Sequence, residues 1–138
     1  MNQRIPTESD EQKALMRWAA YNRGRYPELA LLYHIPNEGQ RDPRVGARMR
    51  AEGLRKGVPD LCLPVARGGS HGLYIELKRT KGGRVSPEQA EWIDGLLRQG
   101  YAACVCRGWE EASREIERYL RGGTQNGGAL SKAEEKAD

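Results

Sequence analysis

The residues here with the types and spacing to do chemistry are an acid behind a proline and, further on, an acid and a lysine two apart. Asp60 closes Gly57-Val58-Pro59-Asp60, and sixteen residues later Glu76 stands two positions before Lys78 in Ile75-Glu76-Leu77-Lys78. Paired carboxylates offer the hard oxygen donors that a small divalent cation takes. An amine beside them stabilises charge developing on a reacting oxygen. Together they are parts for hydrolysing a phosphodiester, provided the chain brings them to one point.

A folded-back ribbon would do so. Asp60-Leu61-Cys62-Leu63-Pro64-Val65 is apolar and reads as a largely buried strand. Gly68-Gly69-Ser70 is a turn cluster, and Gly72 to Lys78 is rich in strand formers. A hairpin symmetric about Gly68 sets Asp60 opposite Glu76. Opposed like charges destabilise a sheet, and a cation between them reverses the sign of that effect. Side chains alternate along a strand, so Glu76 and Lys78 share one face while Ile75 and Leu77 take the other. An exposed hairpin with solvated charges is the alternative; the apolar residues flanking the acids count against it. Pro64 donates no ladder hydrogen bond and points to an edge or bulged strand.

The remaining elements must hold that ribbon in place. Thr7 is a cap for a first helix, with Glu8, Asp10 and Glu11 in its first turn and Leu15, Trp18 and Ala19 at helical spacing. Gly24 and Pro27 end it, and Leu29-Ala30-Leu31-Leu32-Tyr33-His34-Ile35 reads as a strand. Asp42-Pro43 starts a short basic helix that Gly53 stops. Lys81-Gly82-Gly83-Arg84 reads as a flexible basic loop. Ser86, Pro87 and Gln89 are a helix start with a capping box, and Trp92, Ile93, Leu96 and Leu97 give that helix its apolar stripe. Residues 101–106 form a further buried strand, and residues 110–120 a last amphipathic helix. The order αβαββαβα predicts an α/β fold: a mixed sheet flanked by helices, with a parallel crossover before the last strand.

The chain has 138 residues, enough for one domain with a real core. We expect residues 1–121 to form that domain and 122–138, rich in glycine and charge, to be a disordered polar tail. A mean hydropathy of −0.81 and the absence of an apolar leader or span set the expectation of a cytoplasmic protein without membrane contact. Cys62, Cys104 and Cys106 all fall in predicted strands and read as buried structural thiols; a zinc site drawn from them with His34 and His71 is the lesser alternative. A net charge of +4 favours an anionic partner. Arg41, Arg44, Arg48, Arg50, Arg55 and Lys56 crowd into sixteen residues, and Lys81 and Arg84 cluster beside Lys78. Such clusters track a phosphate backbone, or else form a solvated helix face.

These segments together resemble the virus-type replication-repair nuclease (VRR-NUC) domain, a branch of the PD-(D/E)xK superfamily with a restriction-endonuclease-like fold. The resemblance rests on Glu8-x-x-x-Gln12, His34-Ile35-Pro36-Asn37-Glu38-Gly39, Gly57-Val58-Pro59-Asp60, Ile75-Glu76-Leu77-Lys78, Ser86-Pro87-Glu88-Gln89 and Gly100-Tyr101. It implies a Mg2+-dependent deoxyribonuclease, with Mn2+ as substitute and no organic cofactor. Asp60, Glu76, Lys78 and Gln89 would be catalytic, and Glu8, Asp60, Glu76 and the Leu77 carbonyl would hold the metal. Glu11 competes with Glu8 for the first-helix position. Asn37, Arg41, Arg44, Arg48, Lys81 and Arg84 would contact DNA, although Asn37 also suits a simple turn.

Stand-alone members of the phage type look like homodimeric resolvases of four-way (Holliday) junctions in replication, repair and recombination. The resemblance therefore implies that role, in a bacterial or phage-infected cell. A flap or restriction-type nuclease, and a non-catalytic DNA-binding module on the same fold, are the alternatives.

Overall fold

Alternation and register decide the sheet. The computed structural model describes residues 4–37, 39 and 42–122. In order along the chain are α1 (Glu8–Tyr21), a 3-10 helix (Pro27–Leu31), β1 (Tyr33–His34), α2 (Pro43–Ala51), β2 (Leu61–Leu63), β3 (Leu73–Lys78), α3 (Pro87–Arg98), β4 (Ala102–Arg107) and α4 (Trp109–Leu120). The strands make one four-stranded sheet in the order β1-β2-β3-β4. β1 and β2 pair antiparallel, as do β2 and β3, whereas α3 carries the chain over to a parallel β4. The expected αβαββαβα order is the observed one. Of the expected tail, residues 123–138 lie outside the described residues.

Register separates a greasy face from a reactive one. Leu61 pairs with Ile75, and Ile75 with Cys104; Leu63 pairs with Leu73, and Leu73 with Ala102. These side chains, with Leu77 and Cys106, pack on Leu15 and Ala19 of α1 and on Ala112, Ile116 and Tyr119 of α4. Burying each large aliphatic is worth about 1.5–3 kcal/mol. The alternate residues, Tyr74, Glu76 and Lys78, must therefore face the other way. The three thiols are free and buried, with Cys104 Sγ 3.7 Å from Cys106 Sγ.

Two sequence expectations are corrected here. Residues 29–32 are not strand: Leu29 and Leu32 are buried while Ala30 and Leu31 are exposed, a spacing of three that suits the 3-10 turn which Pro27 starts. Only Tyr33 and His34 remain as β1. Nor does Pro64 mark an edge, since β2 is paired on both sides and ends at Leu63, which leaves the proline just outside the ladder.

Helix ends are stitched to one another. Thr7 and Asp10 form the capping box of α1, and Ser86 and Gln89 that of α3. The N-cap of α4 is Gly108, which brings no side-chain acceptor. Glu11, only 4% exposed, supplies one instead: its Oε1 accepts from the Trp109 N–H at 3.0 Å. Gly108 has φ of 89°, and a Cβ there would come within 2.9 Å of Thr80 Cγ2. We expect Glu11→Ala to cost about 1–2 kcal/mol, read as a lower urea midpoint at unchanged m-value. Glu11→Gln, which keeps an oxygen acceptor, should recover most of the loss.

Candidate active site

The hairpin delivers the acids as the symmetry argument requires. The pairing Leu61–Ile75 extends by one step to Asp60 and Glu76. Asp60 sits just before β2, and its Oδ2 accepts from the Leu77 N–H at 2.7 Å. Its backbone carbonyl accepts from Ile35 N at 2.7 Å and lies 3.0 Å from His34 Nδ1, which must carry the proton because a carbonyl only accepts. Behind Asp60, Gly57 adopts φ of +93° against the first turn of α3; a Cβ would stand 2.6 Å from the Glu88 backbone carbon. Only glycine allows that approach, and it ties the Gly-Val-Pro-Asp turn to the helix that carries Gln89.

Glu76 and Lys78 are almost fully buried, 1% and 5% exposed. Lys78 Nζ lies 3.3 Å from Glu76 Oε2 and donates to Gln89 Oε1 at 3.0 Å. Gln89 Nε2 in turn donates to Glu76 Oε2 at 3.0 Å. Gln89 Oε1 also accepts from Ser86 N at 2.9 Å, so one side chain both caps α3 and braces the acid and the amine. Burial pushes the Glu76 carboxyl up to about 8, and the Asp60 charge adds to that push against the pull of Lys78. Burial also raises Asp60, against the Leu77 N–H that favours its ionised form.

The donor set suits a small hard cation. Glu76 Oε1 is buried and has no hydrogen-bond donor, a costly state for a carboxylate oxygen unless a cation meets it. Lys78 O accepts from Gly108 N on the β4 side, so the backbone groups of Leu77 face the other side, toward Asp60. Among the described residues no cluster of three or more His, Cys, Asp or Glu side chains forms a metal cage. Two carboxylates and a carbonyl suit Mg2+, which keeps several waters and leans on substrate phosphate.

Glu8, favoured in the sequence for its spacing to Gln12, and its alternative Glu11 part company. Glu11 is committed to the α4 terminus, whereas Glu8 lines a cleft of about 220 Å3 together with Ser9, Gln12, His34, Asn37, Asp60 and Leu77. A second cleft, about 620 Å3, shares Asn37 and Asp60 and continues past Arg50, Arg55 and Lys56 to Gln89. Of the expected DNA contacts, Asn37 lines both clefts. Arg44 and Arg48 are exposed on α2 and line neither; Arg44 Nε lies 3.8 Å from Asp42. Lys81 and Arg84 are exposed in the loop after β3, and Arg41 lies outside the described residues. That loop, expected to be flexible, is tied down: the Arg107 guanidinium donates to the carbonyls of Arg79, Gly82 and Gly83.

Gln12, Arg50, Arg55, Lys56 and Arg107 were therefore missed as parts of the site or its supports. Gln12 had a signal, one helical turn beyond Glu8 on the same face. Arg50, Arg55 and Lys56 stood in the basic run without being singled out, and nothing local marks Arg107.

A mixed sheet whose central hairpin brings two acids and a lysine together, with a basic cleft alongside, is a nuclease core of the PD-(D/E)xK type. Comparison with known proteins agrees. The profile of the VRR-NUC domain matches residues 6–110. A solved structure described as a VRR_NUC domain protein is similar at 30% identity and a TM-score of 0.75, covering 91% of this chain and 97% of that one. No curated protein matches the chain. The chain belongs to the VRR-NUC domain family, and with it to the nucleases that act on DNA. Among the described residues no helix is long and apolar enough to cross a membrane.

The raised Glu76 carboxyl predicts how metal-free protein responds to pH. Its folded value, about 8, exceeds the ordinary 4.5, so its stabilising contribution is full below 4.5 and is lost as pH rises through 8. Asp60 acts in the same direction. In EDTA, stability relative to Glu76→Gln should fall between pH 5 and 8, with a slope of at most about 1.4 kcal/mol per pH unit per proton. Parallel urea midpoints for the two proteins across that range would contradict the assignment.

Proposed function

We propose that this nuclease is a divalent-metal-dependent endonuclease that hydrolyses phosphodiesters in branched DNA, with the four-way junction as its substrate. One observation carries the reading. A buried ammonium, Lys78, is held by Glu76 and Gln89 beside Asp60, while Glu76 Oε1 lacks a donor. Asp60, Glu76 and the Leu77 carbonyl would hold the ion, and Glu8, which lines one cleft with Asp60 and Leu77, would add a further oxygen from α1. Bound there, Mg2+ or Mn2+ would neutralise phosphate charge and lower the pKa of a water. Lys78 would orient the attacking water and stabilise the charge that grows on the phosphoryl oxygens. Gln89 keeps Lys78 from collapsing wholly onto Glu76, because its amide engages both.

Two clefts that meet at Asp60 support a branched substrate, since strands can leave the cut site along different paths. Asn37 stands where they meet, and Arg50, Arg55 and Lys56 place positive charge along the larger one. Arg44, Arg48, Lys81 and Arg84 would reach phosphates further out and make binding salt-dependent. A homodimer would present two such sites to the two-fold symmetry of a junction.

Asp60→Ala and Lys78→Ala should each lower Mg2+-dependent cleavage at least a thousandfold while leaving junction binding in EDTA within about threefold. Glu8→Ala should weaken cleavage, whereas Glu11→Gln should leave it near wild type. Side-by-side cleavage of four-way junction, flap and linear duplex, with solution mass measured alongside, tests the substrate. Full activity in Lys78→Ala, or undiminished cutting in EDTA, would refute the metal mechanism; equal rates on linear duplex would refute junction selectivity.

A further inference from the structure

The basic cleft does not end at its phosphate-binding wall. Against it lies a second hollow of about 410 Å3, walled by Ile35, Pro36, Met49, Leu54, Val58 and Trp92. Leu54, Arg55 and Val58 line both, so the two spaces adjoin. The hollow falls within the roughly 300–1,000 Å3 of pockets that take small organic groups. Its polar residues, Glu52 and Arg55, leave a mainly aliphatic and aromatic lining.

Trp92 sets the distance to the chemistry. It stands three residues after Gln89 on α3, hence on nearly the same helix face and about 4.5 Å further along the axis. A strand whose phosphate meets Asp60 and whose neighbouring phosphates follow Arg50, Arg55 and Lys56 passes the mouth of the hollow. Paired bases cannot enter, because their faces are covered by stacking. A base that opens beside a branch can, and it carries both features that the lining matches: a flat apolar face and an anionic tether that stays with Arg55. Stacking on aromatic side chains is the usual way proteins hold such bases.

We infer that this hollow is a nucleobase pocket, which receives an unstacked base of the bound strand against Trp92 beside the scissile phosphate. The inference rests on the DNA nuclease reading above and adds what that reading lacks: a reason for the enzyme to prefer DNA in which a base near the cut is easily freed. Unpairing a base in intact duplex costs a few kcal/mol, and a pair at a branch point, which can lose stacking on one side, opens at lower cost. Selectivity for branched DNA then comes from the pocket as well as from the shape of the clefts.

The test scans 2-aminopurine, and separately a stable abasic nucleotide, through the branch-proximal positions of a four-way junction. Equilibrium binding by the full chain is measured in EDTA. At one or two positions the abasic nucleotide should weaken wild-type binding about 5- to 150-fold, and 2-aminopurine emission should be quenched on binding. Trp92→Leu, which keeps apolar volume but no ring, should lose the quench and show less than a twofold abasic effect. Trp92→Phe should restore both, which a loss of folding would not allow.

A flat abasic scan in wild type, the same abasic penalty in Trp92→Leu, or no junction binding at all would overturn the pocket. Cleavage of the same junction in Mg2+ reads the proposed function separately. Cutting retained with a flat scan removes the pocket alone, and a positive scan without cutting removes the nuclease mechanism alone.

Discussion

Two carboxylates and an ammonium are withdrawn from water at the mouth of one hairpin, and the rest of the molecule is arranged around that fact. Asp60 and Glu76 repel each other, and burial raises the pKa of both, that of Glu76 to about 8. A fold with no use for them would lose little by replacing Glu76 with an apolar residue of similar size. Here the polar groups are kept and braced. Lys78 and Gln89 satisfy one oxygen of Glu76, the Leu77 N–H satisfies one of Asp60, and the second Glu76 oxygen is left without a donor. An arrangement that is unfavourable by itself and favourable around a cation and a phosphate is what a hydrolytic site for DNA requires.

The supports come from every layer. Gln89 is at once the capping residue of α3 and the brace of the reactive pair, so the helix start and the site are positioned by the same hydrogen bonds. Gly57 lets the Asp60 turn touch that helix. Arg107, paired in register with Lys78 on the neighbouring strand, reaches over to hold the loop that follows it. Glu11 fastens α1 to the start of α4, which fixes the helix whose first residue, Glu8, borders the cleft. Movement of any one of these would be felt at the acids within a few bonds.

Much of this was legible in the chain. The hairpin register follows from a symmetric turn and alternating apolar residues, and no long-range contact is needed to place Asp60 opposite Glu76. The capping boxes, the parallel crossover and the order of elements are likewise local signals. What failed was non-local. Leu29 to Leu32 is as apolar as a strand, and only the core it packs against shows that every third residue is buried. Pro64 looked like an edge marker because neither the length of β2 nor its second partner can be read from composition. Arg44 and Arg48 are as basic as Arg55 and Lys56, yet only the latter pair line the cleft, since which face of a basic run meets the site depends on how α2 and its following turn lie against the sheet.

Side-chain type, spacing and turn chemistry therefore determined the reactive trio, the face it occupies and the class of reaction it suits, because strand alternation and hairpin pairing are short-range rules. Tertiary structure alone decided that Glu11 is spent on the start of α4, which arginines line the cleft, and that an apolar hollow ends beside it. Each of these depends on surfaces from distant segments meeting, and no local stretch of sequence carries the position of its eventual neighbour.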